Sequence, residues 1–205
     1  MKNQSKLILL SAALAIFALP VVAQSTDASA NSQPTGQTVQ DRKDNQQDRI
    51  AQGVKSGELT AGETSNLEKK ESNLNQEERD MRNLDNGHLT TADKDTLNQQ
   101  QNKLSHQIYD DKHNAATQNT DPKSVEGQRA ENQQDRIAHG IKSGQLTDKE
   151  AANLESNEAK INNEVRNDRA ANGGKLNAQQ KAQVNRQQNQ ESRQIYRARH
   201  NGRVR

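Results

Sequence analysis

Three side chains near the end of one predicted helix have the types and the spacing of a metal site. His106, Asp110 and His113 stand at positions i, i+4 and i+7, so a helix places them along one face. Imidazole and carboxylate groups are the usual protein ligands of zinc and copper. A related segment later in the chain, RQIYRARHN, has arginine in place of the first two. These residues are weak candidate ligands, and a solvated helix face is the simpler interpretation. We therefore expect no metal and no other cofactor.

A second possible metal site lies in IAQGVKSGELTAGE, residues 50–63. Gly57 and Glu63 are spaced like the sixth and twelfth residues of an EF-hand loop, but the first, third and fifth positions hold Gln, Val and Ser, with no carboxylate among them for calcium. The same residues make a helix–turn–helix junction. Gly57 suits the left-handed residue that ends a helix, and Thr60 with Glu63 forms a capping box that starts the next. The pattern predicts a turn and no calcium site.

Groups suited to catalysis are not brought together by the sequence. Ser105 and Ser192 recur near Tyr109 and Tyr196, but no pair of His and carboxylate can be placed beside either serine from its spacing. Each tyrosine follows an isoleucine, which predicts an aromatic anchor in the core of each unit. The interpretation is a protein that is not an enzyme.

The elements that position these residues occur twice. Residues 45–114, which we name copy one, align without a gap with residues 132–201, copy two, at an offset of 87 residues. Roughly half of the aligned positions are identical, far more than chance gives over such a length. A Gly-x-Leu-Thr pattern (Asn in place of Thr in the last) occurs four times and predicts turns at 56–59, 86–89, 143–146 and 173–176. The segment 115–131 between the copies is interpreted as a disordered linker.

Apolar residues between the turns recur at helical spacing. Leu67, Leu74 and Met81 step by seven, and the other segments follow the same pattern. Such stripes are narrow and resemble coiled-coil seams. The predicted fold is all-α, with two tandem helical-hairpin repeats of three helices each and marginal packing. Copy two is expected to pack less well, because Glu191 stands where copy one has Leu104.

The start of the chain indicates export. Residues 1–23 combine lysines, the apolar run LILLSAALAIFALPVV and small residues before Gln24, the order of a signal peptide that is cleaved. After this segment roughly one residue in seven is Val, Ile, Leu, Met or Tyr, and the chain has no Cys, so its stability cannot depend on disulfides. Residues 24–44 are small and polar, and we interpret them as disordered. The expected location is the periplasm or the exterior, with no transmembrane segment after cleavage.

The two copies differ in charge. Copy one has 9 Lys and Arg against 13 Asp and Glu, whereas copy two has 12 against 8. The chain ends in an Arg-rich stretch that continues into a basic tail, residues 202–205. Nucleic acid is not the expected partner, because stacking aromatics are scarce and the compartment is wrong. An anionic envelope surface, an unidentified protein, or pairing of the acidic copy with the basic copy fits better.

The patterns LTxxExxxL, NGxLTxxD and SxxIYxxxHN together resemble those of a loose group of small exported bacterial helical proteins of unknown function. The resemblance covers both copies and implies export and a helical fold, but no activity. The sequence therefore predicts an exported, non-enzymatic helical repeat protein that acts in binding or in envelope structure. The alternatives are a periplasmic buffer for calcium, zinc or copper and a largely disordered stress protectant.

Overall fold

The computed structural model describes residues 37–205, which form six α-helices and no strand. The predicted all-α fold is confirmed. The predicted signal peptide and residues 24–36 lie outside the described residues. In chain order the helices are α1 Val39–Ser56, α2 Ala61–Leu84, α3 Thr91–His113, α4 Val125–Lys142, α5 Asp148–Ala171 and α6 Ala178–Arg199.

The first helix of each half begins earlier than the sequence predicted. Residues 39–44 belong to α1 and residues 125–131 belong to α4, so the segments interpreted as disordered are shorter. Local caps explain both starts. Thr38 forms a capping box with Asp41, and the Ser124 hydroxyl accepts a hydrogen bond from the Gly127 amide at 3.0 Å. Both caps lie in polar stretches without an apolar stripe, which is why the periodicity did not reveal them.

The four predicted turns are confirmed. Capping boxes begin the helices after Thr60, Thr90, Thr147 and Asn177. The turn glycines that precede them adopt a left-handed backbone, with φ of +74° at Gly57 and +69° at Gly144. A residue with a Cβ is disfavoured there, so each glycine specifies where one helix ends and the chain turns towards the next helix.

The two halves share one hydrophobic core. The most extensive helix contacts join α2 to α5 and α1 to α4, so the first two helices of each half meet their counterparts, whereas among the described helices α3 and α6 pack only on those of their own half. The main core draws on both halves: Ile50, Ala51, Val54, Leu59, Leu67, Leu104, Ile108, Ile137, Ala138, Ile141, Leu146, Ala151, Leu154 and Ile195. A smaller cluster of Ile161, Leu176 and Val184 lies in copy two. The packing has the form of an isologous dimer within a single chain.

A glycine in α1 admits a buried leucine from the following turn. Leu59 is fully buried, and a Cβ added to Gly53 meets its side chain at 2.7 Å. Gly140 and Leu146 repeat the contact at the same distance. The side chain of Leu59 therefore lies directly against the helix that precedes it. The contact locks the α1–α2 and α4–α5 corners.

The prediction that the tyrosines anchor the cores is wrong. Tyr109 and Tyr196 are 40% and 63% exposed and stack on His113 and His200, with ring centroids 4.1 and 4.2 Å apart. Adjacent helical residues point about 100° apart, so the isoleucine before each tyrosine takes the core position. The apolar stripe also ends early, because Leu84 is 84% exposed.

Candidate functional site

The candidate metal ligands lie on the solvent side of α3. His106, Asp110 and His113 are all exposed. The Nδ1 atom of His113 lies 2.7 Å from the carbonyl oxygen of Tyr109, so this ring completes the end of the helix. Within residues 37–205, no group of three or more His, Cys, Asp or Glu side chains is placed to hold a metal ion.

Both oxygens of Glu63, the carboxylate of the EF-hand-like half loop, are already engaged. One oxygen accepts hydrogen bonds from the amide and hydroxyl of Thr60 at 2.9 and 2.7 Å. The other accepts from the side-chain amide of Asn114 at 2.7 Å. Glu150 and Asn201 repeat the arrangement. The paired His-Asn dipeptides thus close each copy, the histidine on the helix end and the asparagine on the capping box.

A cluster of carboxyl groups is buried where α2 meets the start of α5. Glu68 and Glu71 are at most 1% exposed, and Asp148 faces them. Burial, reinforced by Asp148, raises the pKa of Glu71 to about 8, although Lys43, Arg205 and Arg49 oppose the shift. Burial likewise raises the pKa of Glu68 far above its usual range. We name Glu68, Glu71 and Asp148 the first carboxyl cluster.

Copy two contains a second carboxyl cluster, formed by Glu155, Glu158 and Glu191. All three are buried. Gln134 donates to Glu155 at 3.0 Å and Asn157 donates to Glu191 at 3.1 Å. Burial raises the pKa of Glu155 to about 8 and that of Glu191 to about 7. Near neutral pH Glu155 is therefore mostly protonated, whereas Glu191 is close to the midpoint of its titration.

Sequence reasoning missed both clusters because it treated Glu as a surface residue. A signal was present. Glu68 and Glu71 recur at the 87-residue offset as Glu155 and Glu158, and the glutamine that bonds Glu68 recurs with them. Most other acidic positions change between the copies. Glu191 is a separate case, since a carboxyl group occupies the core position that Leu104 fills in copy one.

Two related grooves flank the contact between the copies. The first, named the linker groove, has a volume of about 750 Å³. It lies between the start of α2, the segment 117–123, and helices α4 and α5, with Gln188 of α6. The second, named the C-terminal groove, has a volume of about 670 Å³ and lies between the start of α5, the chain end, and helices α1 and α2. One backbone hydrogen bond fixes the edge of each groove. The Gln118 amide donates to the Gly57 carbonyl oxygen at 2.9 Å, and the Arg205 amide donates to the Gly144 carbonyl oxygen at 3.1 Å.

Charged groups distinguish the two grooves. The C-terminal groove contains Lys43, Asp148 and Arg205, whereas the equivalent positions of the linker groove hold Ala130, Ala61 and Gln118. Asn75 donates to the Asp148 carboxylate. Its counterpart Asn162 faces no carboxylate at the equivalent position, and its Nδ2 has no hydrogen-bond partner among residues 37–205. The linker groove is built from the equivalent segments but lacks these three charged groups.

The outer side of α6 presents a row of arginines. Arg186, Arg193 and Arg197, which we name the α6 face, are separated by seven and four residues, so they lie along one side of the helix. All three are exposed, and none forms an ion pair within residues 37–205. The acidic residue of α6, Glu191, is buried. At the equivalent places α3 has Gln99, His106 and Asp110, so the α6 face belongs to copy two alone.

No family model, no curated protein and no solved structure matches this chain. Among residues 37–205, none of the helices has the length and apolar character that crossing a bilayer requires. The resemblance to the group of exported helical proteins stays a prediction.

Proposed function

We propose that this protein is an exported, non-enzymatic helical protein that docks on an anionic phospholipid surface of the cell envelope through the α6 face. The observation that carries the proposal is the row of Arg186, Arg193 and Arg197, exposed and without ion pairs in the described part of the chain. The predicted signal peptide supports the envelope as the location.

The charge of the α6 face suits a flat anionic partner. Each Arg or Lys near an anionic bilayer contributes about 1 kcal/mol of binding free energy, and several side chains on one rigid helix add their contributions. Arg203 is also exposed at the same end of the chain, although it lies 3.8 Å from Glu150. A helix face of this kind supports peripheral binding rather than insertion, because the apolar side of α6 is already used in the core.

The alternatives have less support. Nucleic acid favours stacking platforms, and the exposed Tyr196 beside the α6 face is stacked on His200. The metal-buffer alternative needs ligands that converge, whereas its candidate residues are spread along an exposed face. A largely disordered protectant has no fixed core, whereas residues 37–205 enclose one.

Vesicle sedimentation tests the proposal. The mature chain is mixed with vesicles of phosphatidylglycerol and phosphatidylcholine, and with vesicles of phosphatidylcholine alone. We expect binding to the anionic vesicles that weakens steeply between 0.1 and 0.5 M salt, because exposed charges are screened.

A matched pair of variants locates the surface. Arg193→Gln/Arg197→Gln removes two charges from the α6 face, which corresponds to roughly a 30-fold loss of affinity at about 1 kcal/mol per charge. Lys94→Gln/Lys103→Gln removes two exposed charges from α3 and should leave most binding intact. Equal losses in both variants contradict the assignment to α6. Equal binding to both kinds of vesicle, or no binding to either, refutes membrane docking and favours a protein partner.

A further inference from the structure

We propose that the linker groove binds a small ligand that carries both an ammonium group and a carboxylate, the chemistry of a basic amino acid or of a peptide that ends in lysine. The inference is independent of membrane docking, since the linker groove and the α6 face share no residue.

The inner wall of the groove offers hydrogen-bond acceptors. Gln188 lines the groove and is only 1% exposed. Its Nε2 donates to the carbonyl oxygen of Glu126 at 2.8 Å, but its Oε1 has no partner anywhere in residues 37–205. The Glu126 residue itself lines the same wall and is 8% exposed. A buried acceptor without a donor is costly, so a donor from a ligand gains more here than at the surface.

Comparison with the C-terminal groove indicates which kind of hydrogen-bond donor the linker groove lacks. There the chain supplies its own cations, Lys43 and Arg205, close enough to act on the first carboxyl cluster. In the linker groove these positions are Ala130 and Gln118. Glu155 and Glu158 of the second cluster lie on α5, with Arg136 as the cation that acts on Glu158. Glu158 lies one helical turn before Asn162, which lines the groove, and neither of its oxygens has a hydrogen-bond partner in the described residues. An ammonium group from a ligand takes the place of the absent lysine, and its positive charge favours the ionised form of Glu158 over the protonated form that burial favours.

The outer rim of the linker groove carries positively charged side chains. Arg166 and Lys123 line the groove and are exposed, whereas Arg169 is held by Asp121 at 3.0 Å. Asn162 adds the unpartnered Nδ2 donor between wall and rim. A carboxylate fits these donors, so the two ends of the groove recognise the two ends of a zwitterionic ligand. The volume of about 750 Å³ lies within the range of small-molecule sites.

Calorimetry with three probes tests both ends. The full mature chain is titrated with Nα-acetyl-lysine, with Nα-acetyl-norleucine, which lacks the ammonium group, and with pentylamine, which lacks the carboxylate. We expect Nα-acetyl-lysine to bind at least about 10-fold more tightly than either analogue, since each loses a charge-assisted hydrogen bond. Absence of saturable binding, or equal affinity for all three probes, overturns the proposal.

Variants assign the binding to the groove. Glu126→Gln should weaken Nα-acetyl-lysine about 10-fold, and Arg166→Gln should weaken it without changing the affinity for pentylamine. Gln118→Arg places the arginine of the C-terminal groove here and should abolish binding. The matched controls are Asp135→Asn, an exposed residue of α4 outside the groove, and Arg79→Gln, the counterpart of Arg166 in the C-terminal groove. Circular dichroism establishes that each variant is folded. If the controls lose affinity as much as the groove variants do, the site lies elsewhere.

Discussion

The stability of this protein should fall as the pH rises from acidic to slightly alkaline values. Glu155 is fully buried, and its pKa is raised from 4.5 to about 8 by burial, reinforced by Glu191 and opposed by the Gln134 hydrogen bond. In the unfolded chain the same carboxyl group ionises near its ordinary pKa. Between these two values the folded state holds one proton more than the unfolded state. The stabilising contribution is therefore complete below about pH 4.5 and is lost as the pH rises towards 8.

The size of the effect follows from proton linkage. Each proton bound only by the folded state changes the free energy of unfolding by about 1.4 kcal/mol per pH unit. Glu155 alone therefore accounts for about 3 kcal/mol between pH 5.5 and 7.5. Glu71, whose pKa is also raised to about 8, adds a similar amount. These losses are a large part of the total stability of a domain, commonly about 5–15 kcal/mol.

Urea unfolding monitored by circular dichroism measures this dependence at several pH values and constant ionic strength. The Glu155→Gln variant keeps an acceptor for Gln134 but has no proton to lose. The slope of its free energy of unfolding against pH should therefore be less steep than that of the wild type by about 1.4 kcal/mol per pH unit. Asp95→Asn, at an exposed position of α3, is the matched control and should leave the slope unchanged. A wild-type stability that is constant or rises over this pH range refutes the reasoning, because the carboxyl groups would then be ionised in the folded state.

Three further predictions concern a helix contact, a helix cap and the association of the two halves. Gly53→Ala places a Cβ 2.7 Å from Leu59 and should destabilise the protein by about 1–3 kcal/mol in the same urea assay, whereas Gly62→Ala, which meets no atom closer than 4.0 Å, should not show this loss. Thr60→Ala removes a capping box and should cost about 1 kcal/mol, with calcium leaving the melting temperature of either protein unchanged. Segments 37–116 and 117–205, expressed separately and mixed, should associate in ultracentrifugation and stay associated in 1 M salt, since the shared core is apolar; dissociation in salt would instead favour pairing by charge.

Local chemistry made the helices and turns predictable. A capping box such as Thr60 with Glu63 acts within four residues, and a left-handed glycine acts at one, so both are readable without knowledge of the tertiary fold. Apolar spacing also placed Leu67 and Ile108 in the core correctly. These signals are local, and the sequence contains all of their partners.

The candidate sites were not predictable in the same way. The burial of Glu71 depends on α5 lying across α2, and the contrast between Lys43 and Ala130 matters only once both are placed in equivalent grooves. Composition suggested too little apolar material for a firm core. The structure resolves this by sharing one core between two copies and by burying carboxyl groups in their protonated form, which composition counts as charges.

The proposed binding surfaces lie where the two copies differ in sequence. The caps, the Gly53–Leu59 contact and the paired His-Asn dipeptides are kept at both places, because each copy needs them to form its helices and to meet its counterpart. An intramolecular pair also needs only one set of surfaces for outside partners. The C-terminal groove is therefore filled by Lys43 and Arg205 and α3 keeps a mixed charge, while α6 presents its arginines and the linker groove lacks the equivalent cations. On this view the asymmetry of charge between the copies marks the side of the molecule that faces its partners, while the shared apolar core and buried polar bonds such as Asn75 to Asp148 hold the two copies together.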